Sequence, residues 1–317
     1  MSMLDTHTID ISGIGAGGAG VGRLPDGRVT FVHRTAPGER VAVRVTDERQ
    51  RWTRSELVRV LRPSPDRRAA PCPFYERCGG CTLEHLRYPA QLEAKRQLVV
   101  DALRRIGGLD LDVSSVVPSP GEFRYRNRVS FSLRRLEKQV VAGFHELDRP
   151  DRIVDVTEAC MLPEAPVARV WGELRRGWGG RAARLPAGRE LRLTVRGTAD
   201  GVATLLVEGG SGRGEPEALL QHVHALAAIW HRPRPGDPPV LLAGRPSVTE
   251  SWQDEDVELS GAAFLQVNRG AATLLEDHVQ AAAGVMAGKR VVDAYCGVGL
   301  HARRLARAGA RVTGIET

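Results

Sequence analysis

The sequence predicts an α+β multidomain chain in three parts: a small β-barrel, a central α/β region and an incomplete doubly wound domain. Three observations predict it. Short alternating runs split by turn residues fill residues 7–61. Strand-like and helix-like stretches alternate through the middle, and a strand, glycine loop, helix and strand follow one another from 290 to the end. The chain has 317 residues, enough for two or three separate cores. A 42% apolar and 26% charged composition excludes a disordered chain. No apolar run approaches the roughly 20 residues that a spanning helix needs.

The barrel is read from Thr8-Ile-Asp-Ile11, Gly27-Arg-Val-Thr-Phe-Val32 and Glu39-Arg-Val-Ala-Val-Arg-Val45. Turn signals at Pro25-Asp-Gly27 and Ala36-Pro-Gly38 separate the runs, and strict alternation gives the last one a single buried face. Its polar side carries Arg44, Arg49, Arg51, Arg54, Arg59 and Arg62. The net charge is +7, and all but three of the 45 basic residues are Arg, the exceptions being Lys95, Lys138 and Lys289. The fixed donor fork of Arg suits phosphate and base edges, so nucleic acid is one reading of this excess. Codon bias in a GC-rich genome is the other. The N-terminus shows no basic region followed by an apolar stretch, so a cytoplasmic location is expected.

Pro63-Ser-Pro65 marks a linker into Pro71-Cys-Pro-Phe-Tyr-Glu-Arg-Cys-Gly-Gly-Cys81. Cys72, Cys78 and Cys81 fall within ten residues, and Gly79-Gly80 lets the backbone turn tightly enough for neighbouring thiolates to converge. Three ligands from one loop plus a distant fourth can hold an iron–sulfur cube, and Cys160 is the available fourth. Zinc competes, since four thiolates also satisfy a tetrahedral site, although the second short Cys pair usual for zinc is absent. After the loop, Gln91–Ile106 reads as a helix stopped by Gly107-Gly108. Arg128–Leu133, Val140–Phe144, Leu191–Val195 and Val202–Val207 read as strands, 170–190 has no clear period, and Glu215–Trp230 has helical spacing. A further helix is expected at 270–287. His222 and His224, two apart on the expected helix, do not share a face and form no metal pair.

Two glycine motifs invite a nucleotide. Gly13-Ile-Gly15-Ala-Gly-Gly18 matches the dinucleotide pattern but lacks a buried strand before it and a helix after it, so it is read as a turn of the barrel. The second has the right context. Arg290-Val-Val-Asp293 is a strand and Asp293-Ala-Tyr-Cys-Gly297-Val-Gly299 a loop, followed by a helix at 300–308 and a strand closing on Glu316. Such a β-α-β unit, with a carboxylate at the second strand's tip to accept from ribose hydroxyls, binds a ribose-bearing cofactor. Gly297-Val-Gly299-Leu-His-Ala302 also fits the nicotinamide form. Asp293 ending the strand and the aromatic Tyr295 two residues later are closer to an S-adenosylmethionine site. Arg124, Arg126 and Arg128 alternate with Phe123, Tyr125 and Asn127, which places three cations on one face of an expected strand. A solvated face explains that pattern as well as RNA contact does.

Taken together, these elements resemble the RNA uracil-5-methyltransferases, specifically the iron–sulfur branch acting on 23S ribosomal RNA. The resemblance implies an N-terminal TRAM barrel of oligonucleotide-binding type over 1–62. It implies a central domain over 63–245 with a 4Fe–4S cluster on Cys72, Cys78, Cys81 and Cys160, and a Rossmann-like methyltransferase domain beginning at 246 and running to 317. Phe123-Arg-Tyr-Arg-Asn-Arg128 resembles the central-domain signature, which makes Arg124, Arg126, Asn127 and Arg128 the expected RNA contacts. In Phe264-Leu-Gln266-Val-Asn268, Gln266 corresponds to a contact with the S-adenosyl-L-methionine donor. Asp293, Tyr295, Gly297, Gly299 and Glu316 complete the expected cofactor set.

In that family a thiolate adds to uracil C6, C5 takes the methyl group, and a base removes the C5 proton. The target base must leave its stack to reach the site. The Asp-Pro-Pro-Arg loop, nucleophilic Cys and catalytic Glu of the family follow the position of Glu316. The present sequence stops at Thr317, so no catalytic residue is assigned and no methyl transfer by this chain alone is expected. Asp237-Pro-Pro239 lies upstream and lacks the Arg, and is read as linker. Cys296, inside the cofactor loop, is not taken as the nucleophile. Two other readings stay open: a non-catalytic RNA-binding module stapled by its cluster, and a nicotinamide-dependent oxidoreductase.

Overall fold

A computed structural model describes residues 6–252, 255–260 and 263–316. It divides into two compact units, Met1–Pro118 and Ser119–Thr317. In the first, alternation of buried and exposed residues produces five strands: β1 (Thr6–Ile14), β2 (Gly20–Arg23), β3 (Val29–Val32), β4 (Arg40–Glu48) and β5 (Trp52–Arg62). They close into a barrel in the order β1-β2-β3-β5-β4, with β3 and β5 parallel. Inward residues Ile9, Ile11, Leu24, Val32, Val41 and Val43 fill the barrel. The expected strands all lie within it; β2 and β5 carry too little alternation to announce themselves. All six arginines of the expected polar side are exposed. Arg44 pairs with Glu56, Arg49 with Asp47 and Arg62 with Asp10.

The glycine motif at 13–18 is indeed a turn, joining β1 to β2. Gly18 has φ +87°, and a Cβ there would lie 2.3 Å from Thr82 Oγ1. Glycine is therefore required by close approach of the cysteine loop and by a left-handed backbone, not by a phosphate. The loop is fixed to the barrel by buried polar bonds. The Glu39 carboxylate is 0% exposed and accepts from Arg67 Nε at 2.5 Å, from Arg67 Nη2 at 2.8 Å and from the Ala36 N–H at 2.9 Å. His85 lies between Tyr75 Oη, 2.6 Å from Nδ1, and the Thr35 carbonyl, 3.0 Å from Nε2. Helix α1 (Tyr88–Arg105) follows, entered through a proline and ending before Gly107.

The second unit is built on a seven-stranded sheet. Its strands are β6 (Arg128–Arg135), β7 (Val140–His145), β8 (Ile153–Asp155), β9 (Glu190–Gly197), β10 (Ala203–Glu208), β11 (Leu226–Arg232) and β12 (Val240–Gly244), in the order β12-β11-β10-β9-β6-β7-β8. Helices α2 (Ala165–Gly177) and α3 (Pro216–His222) pack on it. Phe131 stacks on Trp171 with centroids 3.9 Å apart, and the Trp171 indole N–H donates to the Val156 carbonyl at 2.7 Å.

One expectation fails here, and one stretch without a clear period gains an element. The helix expected over 215–230 stops at His222, and Leu226–Arg232 is strand β11, paired in parallel with β10. A strand buried on both faces is a continuous apolar run, which periodicity cannot tell from a buried helix. The unassigned stretch 170–190 contains most of α2, whose apolar face is interrupted in sequence by Arg175 and Arg176.

A hairpin of β13 (Val248–Trp252) and β14 (Glu255–Leu259) comes next, then α4 (Arg269–Ala283). The β-α-β unit follows as expected: β15 (Arg290–Ala294), α5 (Leu300–Arg307) and β16 (Arg311–Ile315), with β15 and β16 parallel. Val292 and Ile315 on this two-stranded sheet are mostly exposed. Among the described residues no helix is long and apolar enough to cross a membrane.

Burial raises the Glu39 carboxyl, but Arg67 and the N–H groups of Ala36 and Ser64 outweigh it and hold it below the usual range. A depressed carboxyl contributes stability above the ordinary Glu value, lost as pH falls through the folded-state value. Acid unfolding of the first unit is therefore expected to begin below roughly pH 4. Arg67→Met should cost roughly 3 kcal/mol and invert the sign, because burial, the largest influence, is then opposed only by the Ala36 and Ser64 N–H groups. Denaturant melts across pH 3–8 on both chains measure this.

Candidate functional site

Two short stretches distant in sequence meet in the second unit, and a third is laced to them. Arg124 N–H donates to the Met161 carbonyl at 2.7 Å, Arg126 N–H to Leu162 at 3.1 Å, and Glu164 N–H to the Arg126 carbonyl at 2.8 Å. On its other side the first stretch meets 266–268. Asn127 N–H donates to the Val267 carbonyl at 2.9 Å, and Asn127 Nδ2 to the Gln266 carbonyl at 3.0 Å. The Asn127 carbonyl accepts from Gly197 N–H, at the end of β9, at 2.8 Å.

This geometry corrects the expectation of three cations on one strand face. Arg124 has φ +56°, which breaks the extended alternation, and the strand begins only at Arg128. Arg124 is exposed and reaches the Glu158 carbonyl at 3.5 Å; Arg126 and Arg128 are half-buried. Burial lowers the Arg128 guanidinium, with Glu208 opposing and Arg192 and Arg232 adding to the shift. Asn127 is 2% exposed. Its side-chain amide is engaged by protein and not presented to an RNA.

Gln266 lies just before α4, with an exposed side chain. Asn268 caps that helix, its Oδ1 accepting from Ala271 N–H at 3.0 Å while its Nδ2 donates to Ser119 Oγ at 3.0 Å. Arg269 is paired with Glu164 and Glu250 and donates to the Gly197 carbonyl at 2.6 Å. Arg196 is 5% exposed and donates to the Ala263 carbonyl. Burial first, then Arg128 and Arg269, push Arg196 down to about 10, still cationic at neutral pH. Nothing in the sequence analysis singles out Arg196, Glu250 or Ser119; an Asn directly before a helical run is an N-cap signal that could have marked the role of Asn268.

The glycine loop is brought beside this segment by packing. Leu265, next to Gln266, belongs to a core with Val248, Trp252, Val257, Leu259 and Ala272, against which Val298 and Leu300 pack. Tyr295 (φ +62°), Gly297 (φ +55°) and Gly299 (φ +81°) are all left-handed, and a Cβ on either glycine would meet nothing within 4 Å. The loop is open on that side. The Tyr295 side chain is 84% exposed. Glu316 Oε2 accepts from Gly297 N–H at 2.7 Å, clasping the loop to the tip of β16. Asp293 Oδ2 is buried with no hydrogen-bond partner, a desolvated acceptor that a ligand donor would satisfy. These residues fit a ribose- and amine-bearing ligand.

The cysteines do not form a ligand set as placed. Among the described residues, no group of three or more Cys, His, Asp or Glu side chains could hold a metal ion. Cys78 is buried and its Sγ accepts from Gly80 N–H at 3.3 Å; Cys72 and Cys81 are half-buried. Burial, Glu84 and the neighbouring thiols push the Cys81 thiol well up, and burial raises Cys78. Cys160 is buried in the second unit.

Comparison with known proteins agrees with this layout. Residues 5–58 match the TRAM domain family. The chain is 32% identical over 328 residues to a protein named as an uncharacterized RNA methyltransferase of Synechocystis, covering 97% of this chain and 70% of that one. It is also 32% identical over 332 residues to one so named from Gloeobacter violaceus, covering 98% and 72%. The crystal structure of a Pyrococcus abyssi tRNA (uracil-54, C5)-methyltransferase with S-adenosyl-L-homocysteine shares the fold, with TM-score 0.70 and 24% identity over 97% of this chain and 72% of that one.

A Cβ on Gly314 would lie 2.9 Å from Cys296 Sγ, so that thiol is packed against β16. Gly314→Ala should destabilise the second unit by about 1–3 kcal/mol. Adding Cys296→Ala should restore most of the loss; an unrelieved double variant would show that the thiol does not pack there.

Proposed function

The chain belongs to the RNA methyltransferase family, and from that premise we propose that it serves methylation of a uridine at C5 in RNA. The observation that carries the donor half of this reading is the loop clasped by Glu316, with the unpartnered Asp293 Oδ2 and Gln266 gathered beside it. S-adenosyl-L-methionine, when bound, supplies an electrophilic methyl group. Asp293 would accept a hydrogen bond from the donor, Glu316 from its ribose hydroxyls, and Tyr295 would offer an exposed ring. Gly297 and Gly299 would let the backbone approach, and Gln266 would contact the donor from the facing segment.

RNA is the partner this reading requires, and 23S ribosomal RNA in the cytoplasm is the specific substrate proposed. Arg124 offers an exposed cation for it, and Arg54 and its neighbours do so on the barrel. A 4Fe–4S cluster on Cys72, Cys78, Cys81 and Cys160 is supported by the sequence spacing, not by the placed thiols, and no step depends on it.

Calorimetric titration with S-adenosyl-L-homocysteine tests the donor site. Binding is expected, and Glu316→Ala should weaken it at least tenfold, since a hydrogen bond to a charged group is worth about 1.5–3 kcal/mol. Tight nicotinamide dinucleotide binding in place of this ligand would overturn the reading. Anaerobically purified protein should be brown and contain iron and sulfide; one bound zinc and no colour would reject the cluster.

A further inference from the structure

We propose that Asn127 is a positioning residue for Gln266, acting through the main chain of 266–268, and not an RNA contact. The inference rests on the reading of Gln266 as part of a donor site, and the buried geometry around it adds to that reading. The Asn127 side chain is almost wholly inaccessible and lies 139 residues from the carbonyl it holds. Its Nδ2, N–H and carbonyl engage Gln266, Val267 and Gly197. The segment it holds has no regular secondary structure between residues 263 and 267, so its course depends on such bonds.

The same short segment is pinned at both ends by other buried groups. Arg196 donates to Ala263 at its start, and Asn268 at its end caps α4 and donates to Ser119. Between these pins only Asn127 bonds the carbonyls of Gln266 and Val267 among the described residues. Without the side-chain amide, the Gln266 carbonyl loses a buried donor. The peptide bearing the Gln266 side chain then keeps only the neighbouring Val267 main-chain bond, while Leu265 stays anchored in its apolar core. Arg124, three residues before Asn127, remains exposed on the same ribbon. RNA contact and donor-site order therefore belong to different residues of one signature.

The experiment compares full-length wild type with Asn127→Ala and Asn127→Asp. Asn127→Asp keeps the size and main-chain bonds but sets a buried carboxyl oxygen against the Gln266 carbonyl in place of the amide donor, so whichever variant folds reads loss of the same interaction. Amide hydrogen exchange over 264–272 should rise about tenfold, with the strands β6 and β9 unchanged. Affinity for S-adenosyl-L-homocysteine should fall about tenfold while affinity for a uridine-containing RNA stays within twofold. Loss of RNA affinity with unchanged exchange over 264–272 would overturn the proposal. A wild-type chain that binds no S-adenosyl-L-homocysteine would sink the donor-site reading alone. Exchange over 264–272 would still decide whether Asn127 holds the segment.

Discussion

The second unit is organised around a buried amide. Asn127 carries polar groups into a place almost closed to solvent, and each must find a partner there. It finds Gly197 at the end of β9 and the main chain at Gln266 and Val267. One flank of the same stretch is laced to 161–164, so three segments distant in sequence share a hydrogen-bonded seam. The sheet supplies rigidity on one side of that seam, through β6 and β9. The donor segment on the other side inherits it. Arg269 braces the junction, its cation paired with two acids and its donor on the Gly197 carbonyl.

Apolar packing does the rest of the assembly. Leu265 places the Gln266 segment against Val298 and Leu300, at the end of the glycine loop. The loop's own shape comes from left-handed residues at every second position, 295, 297 and 299, and from the Glu316 clasp. On α5, Arg304 reaches Asp277 at 2.5 Å on α4, and Arg303 and Arg307 reach Glu255 on the hairpin at 3.3 and 3.2 Å. Each of these partly exposed pairs is worth little alone, but together they fix the direction of the short helix behind the loop. In the first unit the corresponding task falls to buried polar bonds. Glu39, Arg67, Tyr75 and His85 attach the cysteine loop to a barrel that already has its own apolar core.

Much of this is legible in the sequence. Alternation at 39–45 and the turn at 36–38 gave the barrel, since a strand with one buried face has a period of two. The β-α-β unit at 290–315 was legible because its strand, glycines, helix and acid fall in a fixed order. The decoy at 13–18 was legible for the same reason, lacking that order. Leu226–Arg232 was not, because its burial on both faces erases the period that distinguishes strand from helix. Arg124 was misplaced on a strand face because a single left-handed residue leaves no mark on the alternation of residue types.

The sequence by itself determined the barrel's alternating strands, the β-α-β unit with its glycine loop and two carboxylates, and the relatedness to RNA methyltransferases. Those properties depend on neighbours along the chain, where spacing is visible. The tertiary structure decided that Asn127 is enclosed and that Cys296 lies against Gly314. Burial and partnership are set by segments tens to more than a hundred residues away. No local pattern records which of them will arrive.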